Sequence, residues 1–260
     1  MLTIATWNVN SISVRLGALL KFLKDRTPEV LLLQETKCVS GAFPWSSIEN
    51  MGYQCAVVGQ KALNGVAVIS KHPISDVVTA LPGDQEDYQA RYIECNITVK
   101  DQDFRVASIY VPNGSDEEKF RYKLKFFDRL RAHSQKLLRE ERPLVLGGDY
   151  NVAPFDIDVY SPEALENSVC FRQEEKDKMR SLLHMGLIDA FRISNTQKQQ
   201  FSWWDYRGNG WQYNRGMRID HILLSPVAAD LLSSCEIYTD FRNQHRPSDH
   251  TPVACSFLIN

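Results

Sequence analysis

The sequence contains no long apolar run, and none of its 260 residues belongs to a stretch approaching the ~20 consecutive apolar side chains that a membrane-spanning helix needs. Its first residues, Met1 to Asn8, also lack the basic segment and the apolar segment of a secretory signal. These absences exclude a helical membrane anchor as the basis of function. We therefore expect a soluble, cytoplasmic protein without a membrane partner.

The cysteines show no C-x-x-C spacing, which removes the usual sequence signal for a zinc ribbon or a dithiol redox site. A chain of this length also buries enough surface to fold without disulfides. We predict that the cysteines are small buried side chains in a reducing compartment. They are Cys38, Cys55, Cys95, Cys170, Cys235 and Cys255.

Neither sign of charge dominates, since 30 Lys and Arg against 32 Asp and Glu give a net charge of −2. This balance argues against a protein that binds polyanions indiscriminately. With 43% hydrophobic residues and no repeat, low-complexity tract or linker, we expect one globular domain over residues 1–260. One segment departs from the balance: Lys119 to Arg142 holds nine Lys or Arg and three Asp or Glu, which predicts a local positive patch.

Short apolar runs rich in β-branched residues recur along the chain and predict strands. They are Leu2–Thr6, Val30–Leu33, Val66–Ser70, Tyr92–Val99, Phe104–Tyr110, Leu144–Leu146, Ile219–Leu224 and Val253–Leu258. Helical spacing separates only some of them, at Leu16–Lys24, from about Asp116 to Glu140, at Glu174–His184 and at Val227–Leu232. The pattern therefore predicts an α/β protein with mixed sheets.

The helix near Asp116 begins with a capping-box pattern, Ser115 to Glu118, and we expect its basic residues to lie off its apolar stripe. The longest stretches without a period are 154–171 and 205–216, and long loops in compact domains often bind ligands.

Polar side chains that can hold a metal or move a proton stand at the ends of these apolar runs. Glu35 follows the second run, Asp149 and Asn151 follow Leu144–Leu146, and Asp249 and His250 precede the last. A single such residue is usually a solvated loop side chain or part of an Asx turn. Their joint occurrence at strand ends, where α/β sheets bind ligands, instead predicts an active site.

The motifs around these residues resemble the exonuclease III family of apurinic/apyrimidinic endonucleases, within the wider endonuclease/exonuclease/phosphatase group. The motifs are Trp7-Asn8-Val9-Asn10, Leu33-Gln34-Glu35-Thr36-Lys37, Tyr110-Val111-Pro112-Asn113, Gly148-Asp149-Tyr150-Asn151-Val152, Arg218-Ile219-Asp220-His221 and Pro247-Ser248-Asp249-His250-Thr251-Pro252-Val253. The resemblance spans nearly the whole chain, and the segment from Phe201 to Arg207 is similar to the bacterial branch.

The resemblance implies a four-layered α/β sandwich, in which two packed mixed β-sheets are flanked by helices. It also implies Mg²⁺-dependent hydrolysis of the phosphodiester 5′ to abasic sites in duplex DNA, with 3′→5′ exonuclease and 3′-phosphatase or phosphodiesterase activity. Mn²⁺ is an alternative ion, and the partner is double-stranded DNA with abasic or 3′-blocked sites, bound by a monomer.

The same resemblance implies the roles of individual residues. A hard divalent ion suits oxygen ligands, of which Glu35 is the principal candidate. The expected metal site comprises Asn8, Glu35, Asp149, Asn151, Asp249 and His250, and the expected catalytic residues are Tyr110, Asp149, Asn151, Asp220 and His250. Asp149 would deprotonate the attacking water, and Asp249 beside His250 would favour the cationic imidazole. Whether His250 acts as acid, base or phosphate stabiliser stays open.

Substrate binding is expected from Arg91, Asn113, Trp203, Met217 and Ile219, the last three as an apolar pocket for a flipped deoxyribose. Lys119, Lys123, Arg207 and Arg215 are further candidates for phosphate contacts. Two residues depart from animal relatives: Asn10 replaces an aspartate, which leaves the number of metal ions open, and Met217 replaces a tryptophan.

Two other functions remain possible from the sequence. A lipid or inositol-phosphate phosphodiesterase of the same superfamily would need a membrane-binding loop or a specificity insert, and neither is apparent. A nucleic-acid-binding module with a dead site is disfavoured because the candidate ligands and the Asp249-His250 pair are present.

Overall fold

The computed structural model describes residues 1–259, which form two large sheets, one small sheet and flanking helices. The strands are β1 Leu2–Asn8, β2 Val30–Gln34, β3 Gln54–Val58, β4 Val66–Ser70, β5 Ile74–Val78, β6 Tyr92–Val99, β7 Gln102–Tyr110, β8 Leu144–Asp149, β9 Ile188–Asp189, β10 Trp203–Trp204, β11 Gly216–Met217, β12 Asp220–Leu224, β13 Leu232–Ile237 and β14 Val253–Phe257. The helices are α1 Ile12–Asp25, α2 Trp45–Glu49, α3 Glu117–Leu138, α4 Pro162–Leu165, α5 Gln173–His184, α6 Ala190–Ser194 and α7 Pro226–Asp230.

Both large sheets are six-stranded and mixed. The first has the order β13-β14-β1-β2-β4-β3 and the second β5-β6-β7-β8-β12-β9, while β10 and β11 form the small sheet. The β1–β2 and β7–β8 pairs are parallel, and the other pairs in the two large sheets are antiparallel. The α/β prediction and the prediction of mixed sheets are confirmed.

Alternation along each strand divides the apolar residues between two faces. In β1, Leu2 and Ile4 lie in the core between the sheets, whereas Ala5 and Trp7 face α1. In β7, Phe104 and Val106 join the central core, while Ala107 and Ile109 pack with residues of α3 and α5. The layers are therefore helix, sheet, sheet and helix, which confirms the four-layered sandwich.

A buried polar bridge joins the two sheets beneath one edge of the sandwich. Gln34 Nε2 donates to Ser108 Oγ at 2.9 Å and to Thr6 Oγ1 at 3.0 Å, and Ser108 Oγ donates to the Leu33 carbonyl at 2.7 Å. Such buried groups are tolerated because each finds a partner. The bridge fixes the register of β2 against β7 next to Glu35.

Each predicted strand is found, but the four edge strands β3, β5, β9 and β13 are missed by the sequence reading. Edge strands are half-exposed or short, so their apolar pattern is weak; β5, for example, has exposed residues at its centre. The predicted helix Val227–Leu232 is wrong at its end, because α7 stops at Asp230 and Leu232 begins β13.

The long helix α3 also corrects two details. Its N-cap is Asp116 rather than Ser115, since the Asp116 carboxylate accepts the Lys119 backbone N–H at 2.9 Å. Lys123 lies on the apolar stripe and is fully buried. Among the cysteines, Cys38 and Cys55 are half-buried, and the other four are buried as predicted. No helix within residues 1–259 is both long and apolar enough to cross a membrane.

Candidate active site

Strand ends from both sheets supply the candidate active site. Because β1 and β2 run parallel, as do β7 and β8, the carboxyl ends of each pair point to the same edge. Asn8 ends β1 and Glu35 directly follows β2, whereas Tyr110 and Asp149 end β7 and β8 in register with one another. The sheet topology thus assembles side chains that are more than a hundred residues apart.

Asn8 connects the two candidate acids. Its Nδ2 donates to Glu35 Oε1 at 2.8 Å and to Asp149 Oδ2 at 2.9 Å, while its Oδ1 accepts the Asn10 backbone N–H at 2.9 Å. Asn8 is completely buried, and so its amide has a fixed orientation. It holds the two carboxylates side by side.

A buried histidine lies against the same acids. His250 Nδ1 is 2.9 Å from Asp220 Oδ2, and Nε2 is 3.7 Å from Asp149 Oδ2. Asp220 stands opposite Asp149 in the β8–β12 ladder and accepts a 2.6 Å hydrogen bond from Ser202 Oγ. Burial alone would lower the pKa of His250, but the negative charges of Asp220 and Asp149 outweigh it and raise the pKa to about 10. Asp249 contributes less to this shift than the sequence reading supposed.

The pKa of the Asp149 carboxyl is also raised, but here burial acts in the same direction as the neighbouring negative charge. Burial and the neighbouring charge of Asp220 raise its pKa to about 7, against the lowering effects of His250 and Asn8. A carboxylate with a pKa near neutrality suits proton abstraction at neutral pH. The pair therefore combines a base and a cation within one hydrogen-bonded group.

Glu35 stays ionised for a different reason. Burial opposes its charge, but Lys37 and the hydrogen bond from Asn8 lower its pKa below the ordinary value. Lys37 Nζ lies 2.7 Å from Glu35 Oε2 and donates to Asn10 Oδ1 at 2.5 Å. Lys37, in the loop after β2, thus holds Glu35 in position, and Asn10, in the loop after β1, holds Lys37.

Three residues of these loops have left-handed backbone conformations. Glu35 has φ 50°, Asn151 has φ 51° and Asn10 has φ 43°, a region that few non-glycine residues adopt. In the 149–151 turn, Asp149 Oδ1 accepts the Asn151 N–H at 2.9 Å, and Asn151 Nδ2 donates to the Val111 carbonyl at 2.9 Å. Such conformations persist where the surrounding structure determines them, which is common at functional sites.

The donor set fits a hard divalent cation. Glu35, Asp149 and His250 each place one potential ligand atom within 4.8 Å of the others. The raised pKa of His250 keeps its ring protonated, so the oxygens of Glu35 and Asp149 are the available ligands, a donor type that Mg²⁺ prefers. Asp249 is held elsewhere, by Trp203 Nε1 at 3.0 Å and Asn10 Nδ2 at 2.8 Å. The metal roles of all six residues, Asn8, Glu35, Asp149, Asn151, Asp249 and His250, stay predictions.

These groups form the floor of a cavity of about 650 Å³. The predicted site residues that line it are Glu35, Tyr110, Asn113, Asp149, Asn151, Trp203, Met217, Ile219, Asp249 and His250. Asn8 and Asp220 lie buried behind the lining, in contact with it. Burial and the charges of Glu35 and Asp149 raise the pKa of Tyr110 well above its ordinary value, so the phenol remains a hydrogen-bond donor.

One wall of the cavity is apolar. Trp203 and Met217 pair across the β10–β11 ladder, and Met217 and Ile219 belong to a small buried cluster with Val159 and Phe171. Trp203 is half-buried, and its indole N–H reaches the Asp249 carboxylate. The three residues predicted for the sugar pocket are thus adjacent to one another and to the acids.

The cations predicted to contact phosphate differ in their burial and in their partners. Lys123 as a phosphate contact is wrong, because its Nζ is fully buried, donates to the Asn151 carbonyl at 2.6 Å and pairs with Glu175. Arg91 stacks on the Tyr110 ring, 4.7 Å from its centroid, and supports the site from outside the cavity. Arg207 lines the cavity and pairs with Asp205, while Lys119 and Arg215 are exposed outside the lining.

Sequence reasoning missed several residues of the site. The segment 167–172 lines the cavity, and its only sequence signal was its position in and next to the long aperiodic stretch 154–171. Lys37 and Ser202 were missed as partners of Glu35 and Asp220. Neither residue type is diagnostic, and the Ser202 contact depends on a distant segment.

The endonuclease/exonuclease/phosphatase family model matches residues 5–250, which include every catalytic-cavity residue described above. The chain belongs to this family. It is 34% identical to exodeoxyribonuclease III of Haemophilus influenzae, with 97% of this chain and 98% of the relative covered.

Solved structures agree with this family membership. A Neisseria 3′ phosphatase, NExo, bound to a product DNA hairpin superposes with a TM-score of 0.96 at 37% identity, over 100% of both chains. An AP endonuclease from Archaeoglobus fulgidus gives a TM-score of 0.94 at 35% identity, again over 100% of both chains. The resemblance to exonuclease III proteins and AP endonucleases is confirmed.

Proposed function

We propose that this family member is a DNA repair nuclease that hydrolyses the phosphodiester 5′ to abasic sites in duplex DNA and also removes nucleotides and phosphates from 3′ ends. The observation that carries the proposal is the buried group of Glu35, Asp149, Asp220 and His250 at the floor of the cavity. The full-length similarity to an exodeoxyribonuclease III, a 3′ phosphatase and an AP endonuclease supports it.

The residues divide the work of phosphodiester hydrolysis. Asp149, with a pKa near 7, takes a proton from the attacking water, and Asn151 fixes its carboxylate through the backbone hydrogen bond. Cationic His250, held by Asp220, donates to a non-bridging phosphate oxygen and offsets the negative charge that develops there. Tyr110 and Asn113 line the cavity and orient the scissile phosphate. The water oxygen bonds to phosphorus as the P–O3′ bond breaks, the leaving 3′ oxygen takes a proton from solvent, and the products are a 3′-hydroxyl and a 5′-phosphate.

We propose Mg²⁺ as the cofactor, with Mn²⁺ able to replace it, held chiefly by Glu35. When bound, the ion stabilises negative charge on the phosphate and on the leaving oxygen. Among residues 1–259, neither Glu35 nor Asp149 pairs with an arginine, and Lys37 is the cation nearest to Glu35. A divalent ion there offsets the repulsion between two closely held acids.

Discrimination of damage depends on shape, because an abasic site has no base edge to bind. Trp203, Met217 and Ile219 form the apolar wall on which the exposed deoxyribose packs, while a nucleotide with its base needs more space. We further propose that residues 1–260 act as one domain and as a monomer, since Asn8 and His250, from opposite ends of the chain, build one site.

The decisive experiment uses three duplexes: one with a tetrahydrofuran abasic analogue, a matched intact one and one with a 3′-phosphate. We expect Mg²⁺-dependent incision 5′ to the analogue and release of the 3′-phosphate, both abolished by EDTA. Glu35→Gln, which keeps the side-chain shape without the charge, should raise the Mg²⁺ concentration needed for half-maximal rate. Hydrolysis of inositol phosphates without cleavage of any duplex, or activity unaffected by EDTA, would contradict the proposal.

A further inference from the structure

One arginine at the rim of the catalytic cavity has no role in the reaction described above. Arg172 directly precedes α5, and its side chain lines the cavity. Its guanidinium carbon lies 4.5 Å from the centroid of the Phe120 ring, and Nη1 reaches the Gly114 carbonyl at 3.5 Å. The contact with Phe120 restricts the position of the guanidinium, and the Gly114 carbonyl is the one hydrogen-bond acceptor of its side chain among residues 1–259.

The charge of Arg172 is not neutralised by the protein. Glu175, which contacts the Arg172 backbone, uses Oε1 to accept the Arg172 N–H at 2.8 Å and Oε2 to bind Lys123. Across the part of the chain that the structure describes, Arg172 forms no ion pair, in contrast to Arg207 on the same cavity, which pairs with Asp205. An arginine restricted in position and without a carboxylate partner is suited to an anionic ligand.

Polar groups of the loop after β7 stand on the same side of the cavity. Asn113 and Ser115 line it, and Asn113 Oδ1 accepts the Ser115 N–H at 3.1 Å, which leaves the Asn113 amide N–H groups for a ligand. Gly114 between them has φ +73°, and a Cβ there would approach Phe120 to 3.1 Å and Lys123 to 3.2 Å. Glycine therefore permits the tight turn that brings both polar side chains next to Arg172.

We propose that Arg172, with Ser115, forms a subsite for an internal phosphodiester that flanks the scissile one; this assignment rests on the proposed nuclease function. A phosphate next to the scissile phosphate meets the acids Glu35, Asp149 and Asp249 on the cavity floor, which repel it. Arg172 supplies the opposite charge at the rim. Planar N–H pairs of guanidinium match two phosphate oxygens, and the Ser115 hydroxyl donates to the same group.

The test compares Arg172→Gln and Arg172→Lys with Arg139→Gln, a matched loss of charge at the exposed C-terminal end of α3, away from the cavity. Binding of abasic duplex is measured by anisotropy in EDTA over a salt series, and turnover is measured in Mg²⁺. For Arg172→Gln we expect Kd and KM to rise about tenfold, kcat to change less than about twofold and the salt slope of log Kd to fall by roughly one. Arg172→Lys should restore the slope but only part of the affinity, and Arg139→Gln should match the wild type.

Oligonucleotides with one methylphosphonate at a time locate the contact. The wild-type protein should lose affinity strongly at one flanking position, and Arg172→Gln should lose nothing further at that position while remaining sensitive at the others. Unchanged Kd and salt slope in a folded Arg172→Gln protein, checked by its Tm, would overturn the subsite. An effect seen only on 3′-phosphate ends would overturn the assignment to an internal phosphodiester. If the wild-type protein neither binds nor cleaves the duplexes, the proposed function itself fails.

Discussion

Two buried charge clusters share one segment of chain, Arg218 to His221, and use it in opposite ways. The catalytic cluster consists of Glu35, Asp149, Asp220 and His250, and the structural cluster consists of Asp158, Asp189, Arg192, Arg218 and His221. Asp220 faces His250, whereas Arg218, two residues earlier, pairs with Asp158 and Asp189 at 2.7 Å each. Neighbouring residues therefore serve catalysis and stability separately.

The clusters are equally buried but shift carboxyl pKa values in opposite directions. Burial raises the pKa of Asp189, yet the charge of Arg218 outweighs it and holds the pKa well below the ordinary value. In the catalytic cluster, burial and Asp220 outweigh His250, and the pKa of Asp149 rises to about 7. Counter-charge, rather than burial, decides the sign of the shift. The candidate catalytic cluster holds an excess of acid, whereas the structural cluster does not.

The largest expected effect is the loss of an acid from the structural cluster. Asp158→Asn leaves Arg218 and Arg192 buried without their shared carboxylate and should lower the free energy of unfolding by about 3–5 kcal/mol. Urea unfolding measures the change. The matched control is Asp177→Asn on the exposed face of α5, which should change stability by less than about 0.5 kcal/mol. Equal changes in the two variants would show that the cluster does not stabilise the fold.

Next in size are losses from the catalytic cluster. Asp149→Asn and His250→Ala should each lower kcat at least about a hundredfold, the usual scale for a missing base or charge-stabilising group. Duplex binding should persist, as measured by anisotropy. Parallel losses of binding and turnover in folded variants would mean that these side chains position the substrate instead.

Loss of the Asp220 charge should lower kcat less than loss of the Asp149 charge. Asp220→Asn removes the nearest negative charge from His250, so the pKa of His250 should fall from about 10 and the cation should be lost at lower pH. We expect roughly a tenfold decrease in kcat above pH 8 and a much smaller one below pH 6. The pH–rate profile and the titration of the His250 ring by NMR measure this. A decrease that is uniform across pH would leave Asp220 with a purely structural role.

The smallest expected effect is an increase in stability for Asp149→Asn, opposite in sign to the decrease expected for Asp158→Asn. The Asp149 carboxyl has a pKa of about 7 in the folded protein, against an ordinary value of 3.8, and so it holds a proton that the unfolded chain releases between these values. Wild-type stability therefore falls as pH rises through this window, and Asp149→Asn removes the loss. In EDTA the variant should melt a few degrees higher above pH 7 and at the same temperature as wild type near pH 4. A lower Tm for the variant at pH 8 would show that ionised Asp149 stabilises the fold.

The sequence was sufficient to predict the residues that combine a strand end with a polar side chain. Glu35, Asp149 and His250 each follow or precede a strongly apolar central strand, and these strands carry the clearest pattern because both faces are buried. Edge strands were missed because they are half-exposed, as in β3 and β5, or very short, as in β9. Lys123 was misjudged because a lysine on a helix is usually solvated, and its buried partner Glu175 belongs to another helix.

The partners that tune the site could not be predicted in the same way. Ser202 contacts Asp220, and Arg172 stacks on Phe120, through tertiary packing between segments far apart in the chain. Neither contact leaves a periodic pattern or a motif. The sequence therefore indicates the candidate reactive groups, and the three-dimensional structure is needed to identify the side chains that contact and orient them.

The pairing of β1 with β14 also has a consequence for the order of events during protein synthesis. Residues Leu2 to Thr6 pair with Val253 to Phe257, so the strand that carries Asn8 is complete on both sides only when the C-terminus has left the ribosome. Contacts between such distant segments form late and slowly in folding. A nascent or truncated chain without residues 250–257 therefore lacks His250 and leaves one side of β1 unpaired, and nuclease activity requires these residues.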